Sequence, residues 1–213
     1  MNAPHDPLDT SRIQEILAPY EITADESLCV AIRVYIAMLA QWNCKVALTA
    51  MTDPVEVLRF HFGESLFAVS RMDICKGRLA DIGTGPGFPG IPIRMVCPQL
   101  ELLLVESNSK KAAFLSEVVR KLDLSGVSVI RKRMEEIGER ETGKLDCVTA
   151  RALGGYEDLL EWAKSRLSPR GRVIFWLGNE ESAGISSIGG WNWEEPIKIP
   201  DSRSRFLLSA RPK

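Results

Sequence analysis

Hydrophobic and polar positions along the chain fall into two textures. Between about Asp9 and Met72 the apolar residues recur at helical spacing. Ile13, Ile16 and Leu17 share one face, and within "ADESLCVAIRVYIAMLAQWN" Leu28, Ile32, Tyr35, Ile36 and Leu39 share another. Asp25 stands where a helix N-cap belongs, and Asp53 followed by Pro54 predicts a further helix start in "TDPVEVLRFHFGESLFAV". From Arg78 onward short apolar runs take over. "RLADI", "LELLLVES", "VSVIRK", "LDCVTA" and "RVIFWL" are separated by helical stretches, among them the amphipathic "SKKAAFLSEVVRKLDL" and "YEDLLEWAKSRL". That alternation predicts a parallel sheet with helices on both faces. "IKI" and "RFLLSA" follow close together, as the strands of a hairpin do. The expectation is an α/β fold: a doubly wound, mostly parallel seven-stranded sheet with an antiparallel edge over residues 75–213, with a helical cap over 1–74 that belongs to the same compact unit.

Composition adds limits. With 213 residues, 45% of them hydrophobic, the chain can bury one large core. Charged residues make up 26% but nearly cancel to a net −1, so any nucleic-acid contact must come from a local basic patch. Cys29, Cys44, Cys75, Cys97 and Cys147 form no CxxC pair and have no neighbouring histidine at ligand spacing. The prediction is buried free thiols, no disulfide and no metal. "MNAPHDPLDT" lacks the features of a signal peptide, and no apolar run approaches membrane-spanning length, so a soluble cytoplasmic protein is expected.

The densest chemistry lies in "LADIGTGPGFPGIPIRMV". Gly83, Gly85 and Gly87 directly follow a predicted strand, where backbone free of side chains can approach a ligand, and a helix beginning near Pro89 adds free N–H groups. Ligands of such sheets sit at the carboxyl ends of the strands. Glu106 ends the next strand and can accept both hydroxyls of a ribose. Gly85, Gly87 and Gly90 also satisfy GxGxxG, the pattern of nicotinamide-dependent oxidoreductases. Against that, Asp81 opens the loop with an acid, which suits a cationic amine better than a pyrophosphate. S-adenosylmethionine carries an ammonium, a carboxylate, a sulfonium and a ribose, and fits both the acid and the glycines.

The chain resembles the ribosomal small-subunit RNA methyltransferase G family, also called glucose-inhibited division protein B. "DIGTGPGFPGIPI" is close to that family's loop; "WNCKVALTAMTDPVEVLRFHFGES", "VESNSKKAAFL", "RMEEI" and "VTARAL" match further segments. The resemblance implies a class I methyltransferase-type fold and methyl transfer from S-adenosylmethionine to N7 of a guanine in small-subunit ribosomal RNA, free or within the 30S particle. It implies cofactor contacts at Gly83, Phe88, Met134, Glu135 and Arg151, with Glu106 on the ribose, and a role for Arg151 at the pocket shared by cofactor and RNA. Three positions depart from the family pattern: Ala47 replaces an asparagine, Glu64 an aspartate, and Leu177 a lysine. Ala47 and Leu177 leave open a non-catalytic ribosomal RNA-binding or assembly factor.

Read from residue type, Arg151 could donate to guanine O6 or a phosphate, or pair with Glu157 or Asp158. His61, Arg131, Arg203 and Arg205 are the remaining RNA-contact candidates, with Arg211 and Lys213 extending a tail patch. Trp191 and Trp193 are expected to pack on the sheet edge in preference to stacking on bases. A monomer is expected.

Overall fold

The computed structural model describes residues 8–151 and 154–213. Aspartates begin the helices of the N-terminal part. Asp9, Asp25 and Asp53 each accept from a backbone N–H three residues on, at 2.8 Å, ahead of α1 (Thr10–Leu17), α2 (Glu26–Asn43) and α3 (Pro54–Glu56). The chain then passes from α3 through π-helical turns at Val57–Gly63 into α4 (Glu64–Arg71).

The α/β part follows as β1 (Gly77–Ile82), α5 (Gly90–Val96), β2 (Leu100–Val105), α6 (Ser109–Lys121), β3 (Val127–Ile130), α7 (Glu139–Thr142), β4 (Leu145–Arg151), α8 (Tyr156–Arg166) and β5 (Leu167–Gly178). It closes with α9 (Asn179–Ser186), β6 (Trp191–Trp193), β7 (Ile197–Lys198) and β8 (Arg205–Pro212). The sheet order is β3-β2-β1-β4-β5-β8-β6, with β7 also paired to β8. β1 to β5 run parallel, and β8 runs antiparallel to β5. The order reverses at β1, whose neighbours are β2 and β4, so the crevice for a ligand opens at the carboxyl ends there.

All seven expected strands form, and β6 adds an eighth. Its sequence, "WNW", is too short to stand out as a strand. Trp191 is buried in the core and Trp193 Nε1 donates to Ile188 O at 3.0 Å, so the expected edge packing holds.

Period-two alternation sorts each strand's side chains to two cores. Leu79, Leu102, Leu104 and Ile174 pack with the cap residues Ile13, Leu17, Ile32, Tyr35 and Phe62. Ala80, Ile82, Leu103, Val148 and Phe175 pack with Leu160, Trp162 and Leu208 on the opposite face. The cap and the sheet thus share one continuous core.

The cysteine expectation needs correction. Cys75 and Cys97 are joined, Cα to Cα 4.7 Å, because the chain entering β1 and the chain leaving α5 meet there. Cys29 and Cys147 are buried thiols, while Cys44 is exposed. Among the described residues no helix is long and apolar enough to cross a membrane, and no group of three or more His, Cys, Asp or Glu is placed to hold a metal ion.

Candidate active site

At the end of β1 the glycine loop turns on Gly83, whose φ of +64° is in the left-handed region, and Gly87 N and Phe88 N both donate to Thr84 O. Asp81 governs this turn from below. It shares parity with Leu79 and therefore points to the cap-side face, where it is 0% exposed. Its Oδ2 accepts from Thr84 Oγ1 at 2.5 Å and from Gly90 N at 2.9 Å, while Oδ1 accepts from Thr149 Oγ1 at 2.8 Å. Burial pushes its pKa up to about 6, with the hydrogen bonds from Thr84, Thr149 and Gly90 acting against that rise. Asp81 is sealed from any ligand. The expectation that it meets a cofactor amine is corrected: it fastens the loop to β4 and to the start of α5.

Glu106 takes the place at the pocket. Its Oε2 accepts from Gly85 N at 3.0 Å and its Oε1 from Asn108 N at 2.8 Å. Each carboxylate oxygen has two lone pairs, so both retain capacity for a ribose hydroxyl. Glu106, Gly83, Met134 and Glu135 line one cavity of about 300 Å³ at the carboxyl ends of β1, β2 and β3. Gly154, Gly155 and Asp158 close its β4 side. These three were not singled out from sequence as cofactor contacts, although a Gly-Gly pair three residues past a strand end resembles the signal that marks the first loop. An acid for a diol, a bare glycine and an apolar methionine face fit the ribose and adenine of S-adenosylmethionine.

Other expected cofactor residues lie behind the cavity and not in it. Gly85 contributes through its N–H to Glu106. Gly87 is small for packing reasons: a Cβ there would run into Tyr35 Oη and lie 2.6 Å from Ile91 Cδ1, at a φ of +99°. Gly87→Ala should cost about 2–3 kcal/mol through this clash and the backbone strain. A thermal melt should show a midpoint roughly 4–12 °C lower; an unchanged midpoint would mean that the loop is not packed this way. Gly90 likewise has Leu104 and Asp81 where a Cβ would go. Gly87 and Gly90 of the GxGxxG pattern therefore answer to internal packing and Gly85 to its φ of +58°, and the nicotinamide reading loses its footing. Phe88 is buried in an aromatic stack, parallel to Tyr35 at 5.3 Å and to His61 at 4.6 Å.

That stack also corrects the reading of His61 as an RNA contact. Its Nε2 bonds Thr49 Oγ1 at 3.0 Å, and burial, aided by Arg151 and Arg205, pushes its pKa down to about 3. A neutral ring held against Phe88 links cap to loop and offers no charge to a phosphate. The other histidine, His5, lies outside the described residues.

Arg151 pairs with neither Glu157 nor Asp158, and it does not line the 300 Å³ cavity. It turns toward the cap, where its Nη2 meets Glu64 Oε2 at 3.0 Å. Arg205 Nη1 reaches the same oxygen at 2.8 Å. Because β8 opens opposite the end of β5, Arg203 and Arg205 stand at the carboxyl edge of the sheet, as does the exposed Arg131 just past β3. Arg211 ends β8 on the opposite edge, paired with Glu194 at 2.6 Å, so the tail does not form a single basic patch.

Leu177 is buried in the core on the sheet face opposite the cap, so this position offers RNA no contact. The loop at Ala47 is held from a distance: Asn43 Oδ1 accepts from Leu48 N at 2.8 Å and Thr49 N at 3.1 Å.

Comparison with known proteins places this geometry. Residues 29–187 match the family described as rRNA small subunit methyltransferase G. A ribosomal RNA small subunit methyltransferase G of Xylella fastidiosa is 39% identical over 212 residues, spanning 95% of this chain and 98% of that protein. One from Stenotrophomonas maltophilia is 38% identical over 181 residues, spanning 83% and 82%. Among solved structures, a ribosomal protein L11 methylase from Lactobacillus delbrueckii subsp. bulgaricus superposes with a TM-score of 0.61 at 16% identity, over 73% of this chain and 79% of its own. A SAM dependent methyltransferase from Aquifex aeolicus gives 0.60 at 17%, over 74% and 93%. At these identities the two structures bear on the fold alone.

Proposed function

The chain belongs to the rRNA small subunit methyltransferase G family, and from that premise we propose that it methylates N7 of a guanine in small-subunit (16S) ribosomal RNA. It is an S-adenosylmethionine-dependent ribosomal RNA methyltransferase. The observation that carries the reading is the cavity at the β1 switch point, where Glu106, Gly83 and Met134 present what the cofactor's ribose and adenine require.

When bound, S-adenosylmethionine supplies a methyl group on a sulfonium. Guanine N7 has an in-plane lone pair, so no side chain need remove a proton. The protein's task is alignment and exclusion of water, and effective concentration carries the rate. In this reading Glu106 accepts the ribose hydroxyls, Gly83 lets backbone lie close, and Met134 covers the adenine beside Glu135. Arg151 donates to guanine O6, and Arg203, Arg205 and Arg131 hold RNA phosphates along the same edge of the sheet.

The test is transfer of a radiolabelled methyl group to purified small subunits and to free ribosomal RNA, with the position read by strand scission selective for N7-methylguanine. Label at one guanine is expected, falling about tenfold in Arg151→Ala as one charged donor is lost. RNA that binds without acquiring label would make the protein a binding or assembly factor.

A further inference from the structure

Glu64 is a carboxylate with 1% of its surface exposed, on the cap helix α4 and outside the lining of the cavity. Its backbone is held by one side-chain bond and its two chain neighbours are packed in place. Trp176 Nε1, from the end of β5, donates to Glu64 O at 2.7 Å, and Ser65 Oγ donates to His61 O at 2.5 Å. The ring of Tyr20 occupies the space that a Cβ on Gly63 would need. The carboxylate is thus the stationary member of its cluster, and the arginines are the long side chains that it collects.

Those arginines come from two strands that meet only at the carboxyl edge of the sheet. Arg151 ends β4 with 12% of its side chain exposed, and Arg205 opens β8 with 46% exposed. Both end on the single atom Oε2. Two guanidinium groups so close repel unless an anion lies between them. Arg151 is engaged through Nη2, and its Nη1 has no hydrogen-bond partner among the described residues, nor has Glu64 Oε1. A buried guanidinium nitrogen without a partner is costly to keep, so the ion pair through Nη2 is what holds Arg151 in this place.

We propose that Glu64 is a positioning residue for methyl transfer: it holds Arg151 by Nη2 at the carboxyl end of β4, where the target guanine is to meet it, and it neutralises Arg205 enough for both arginines to share the edge. The inference rests on Arg151 as the guanine contact. Glu64 itself touches neither cofactor nor RNA. An aspartate at this position would keep the carboxylate, and a glutamine would keep the shape without the charge.

The experiment is a double-mutant cycle on the full chain with Glu64→Gln, Arg151→Ala and both together, reading kcat and KM for RNA and, by calorimetry, cofactor affinity and stoichiometry. Glu64→Gln should lower kcat about tenfold, as Arg151→Ala does, with one-to-one cofactor binding at unchanged affinity. Glu64→Asp should retain most of the activity. The double variant should have the kcat of Arg151→Ala, because Glu64 acts on the methyl-transfer step only through that side chain. Losses that multiply in the double variant would overturn the inference, as would full activity in Glu64→Gln beside a crippled Arg151→Ala. An active Arg151→Ala would instead sink the guanine-contact reading itself. If Glu64→Gln fails to bind cofactor one to one, the cycle with Glu64→Asp decides: its smaller loss must vanish in the Arg151→Ala background.

Discussion

Asp81→Ala will lose about 3–5 kcal/mol of stability, a fall of roughly 6–20 °C in melting midpoint, and cofactor affinity will drop at least about tenfold with it. The substitution strands Gly90 N–H and the hydroxyls of Thr84 and Thr149 in the interior, and it frees the loop from β4. Asp81→Asn is the informative partner, since an amide can still accept from Thr84 and Gly90 while donating to Thr149. The native pKa of about 6 lies above the ordinary value of 3.8, so the folded state binds the proton more tightly than the unfolded chain does. Stability from this group is therefore full below about pH 4 and is lost as pH rises through 6, a difference of about 3 kcal/mol. Relative to Asp81→Asn, the unaltered protein should lose stability between pH 4 and 7. Melts across that range check this, and parallel curves would show that Asp81 is not buried as a charge.

The second large effect falls on Glu106. Removing its carboxylate in Glu106→Ala deletes charge-assisted acceptors for both ribose hydroxyls, at about 1.5–3 kcal/mol each, so the Kd for S-adenosylmethionine should rise at least roughly a hundredfold. Alanine also leaves Gly85 N and Asn108 N without their acceptor, which blurs the cause. Glu106→Gln retains one oxygen for the loop and should hold the melting midpoint while still weakening binding about tenfold. Calorimetric titration measures both. An unchanged Kd in Glu106→Gln would place the ribose elsewhere in the cavity.

The strands and helices were legible because a sheet buried on both faces leaves continuous apolar runs, and amphipathic stretches between them have no other use. Glu106 was legible for the same reason that the ligand site was: it ends a strand at the switch point. Asp81 was misread although its parity was visible. An acid at a strand end looks alike in sequence whether it turns toward solvent or inward, and only Thr149, which is 68 residues away, marks the difference. Arg151 shows the same limit. Nearby acids such as Glu157 and Asp158 were natural partners, yet the strand directs it to Glu64 in the cap. Cys75 and Cys97 carried no spacing signal either, since their meeting depends on how α5 returns to β2.

The strand that is made last does not lie at the margin of the sheet. β8 sits between β5 on one side and β6 and β7 on the other, and it brings Arg205 to a carboxylate that precedes it by 141 residues. While the chain is being synthesised, the cap and five parallel strands emerge first, with one flank of the sheet open and Glu64 paired with Arg151 alone. Closure waits until residues 205–212 have cleared the exit tunnel. Arg205 thus joins a cluster whose other two members, Glu64 and Arg151, lie earlier in the chain.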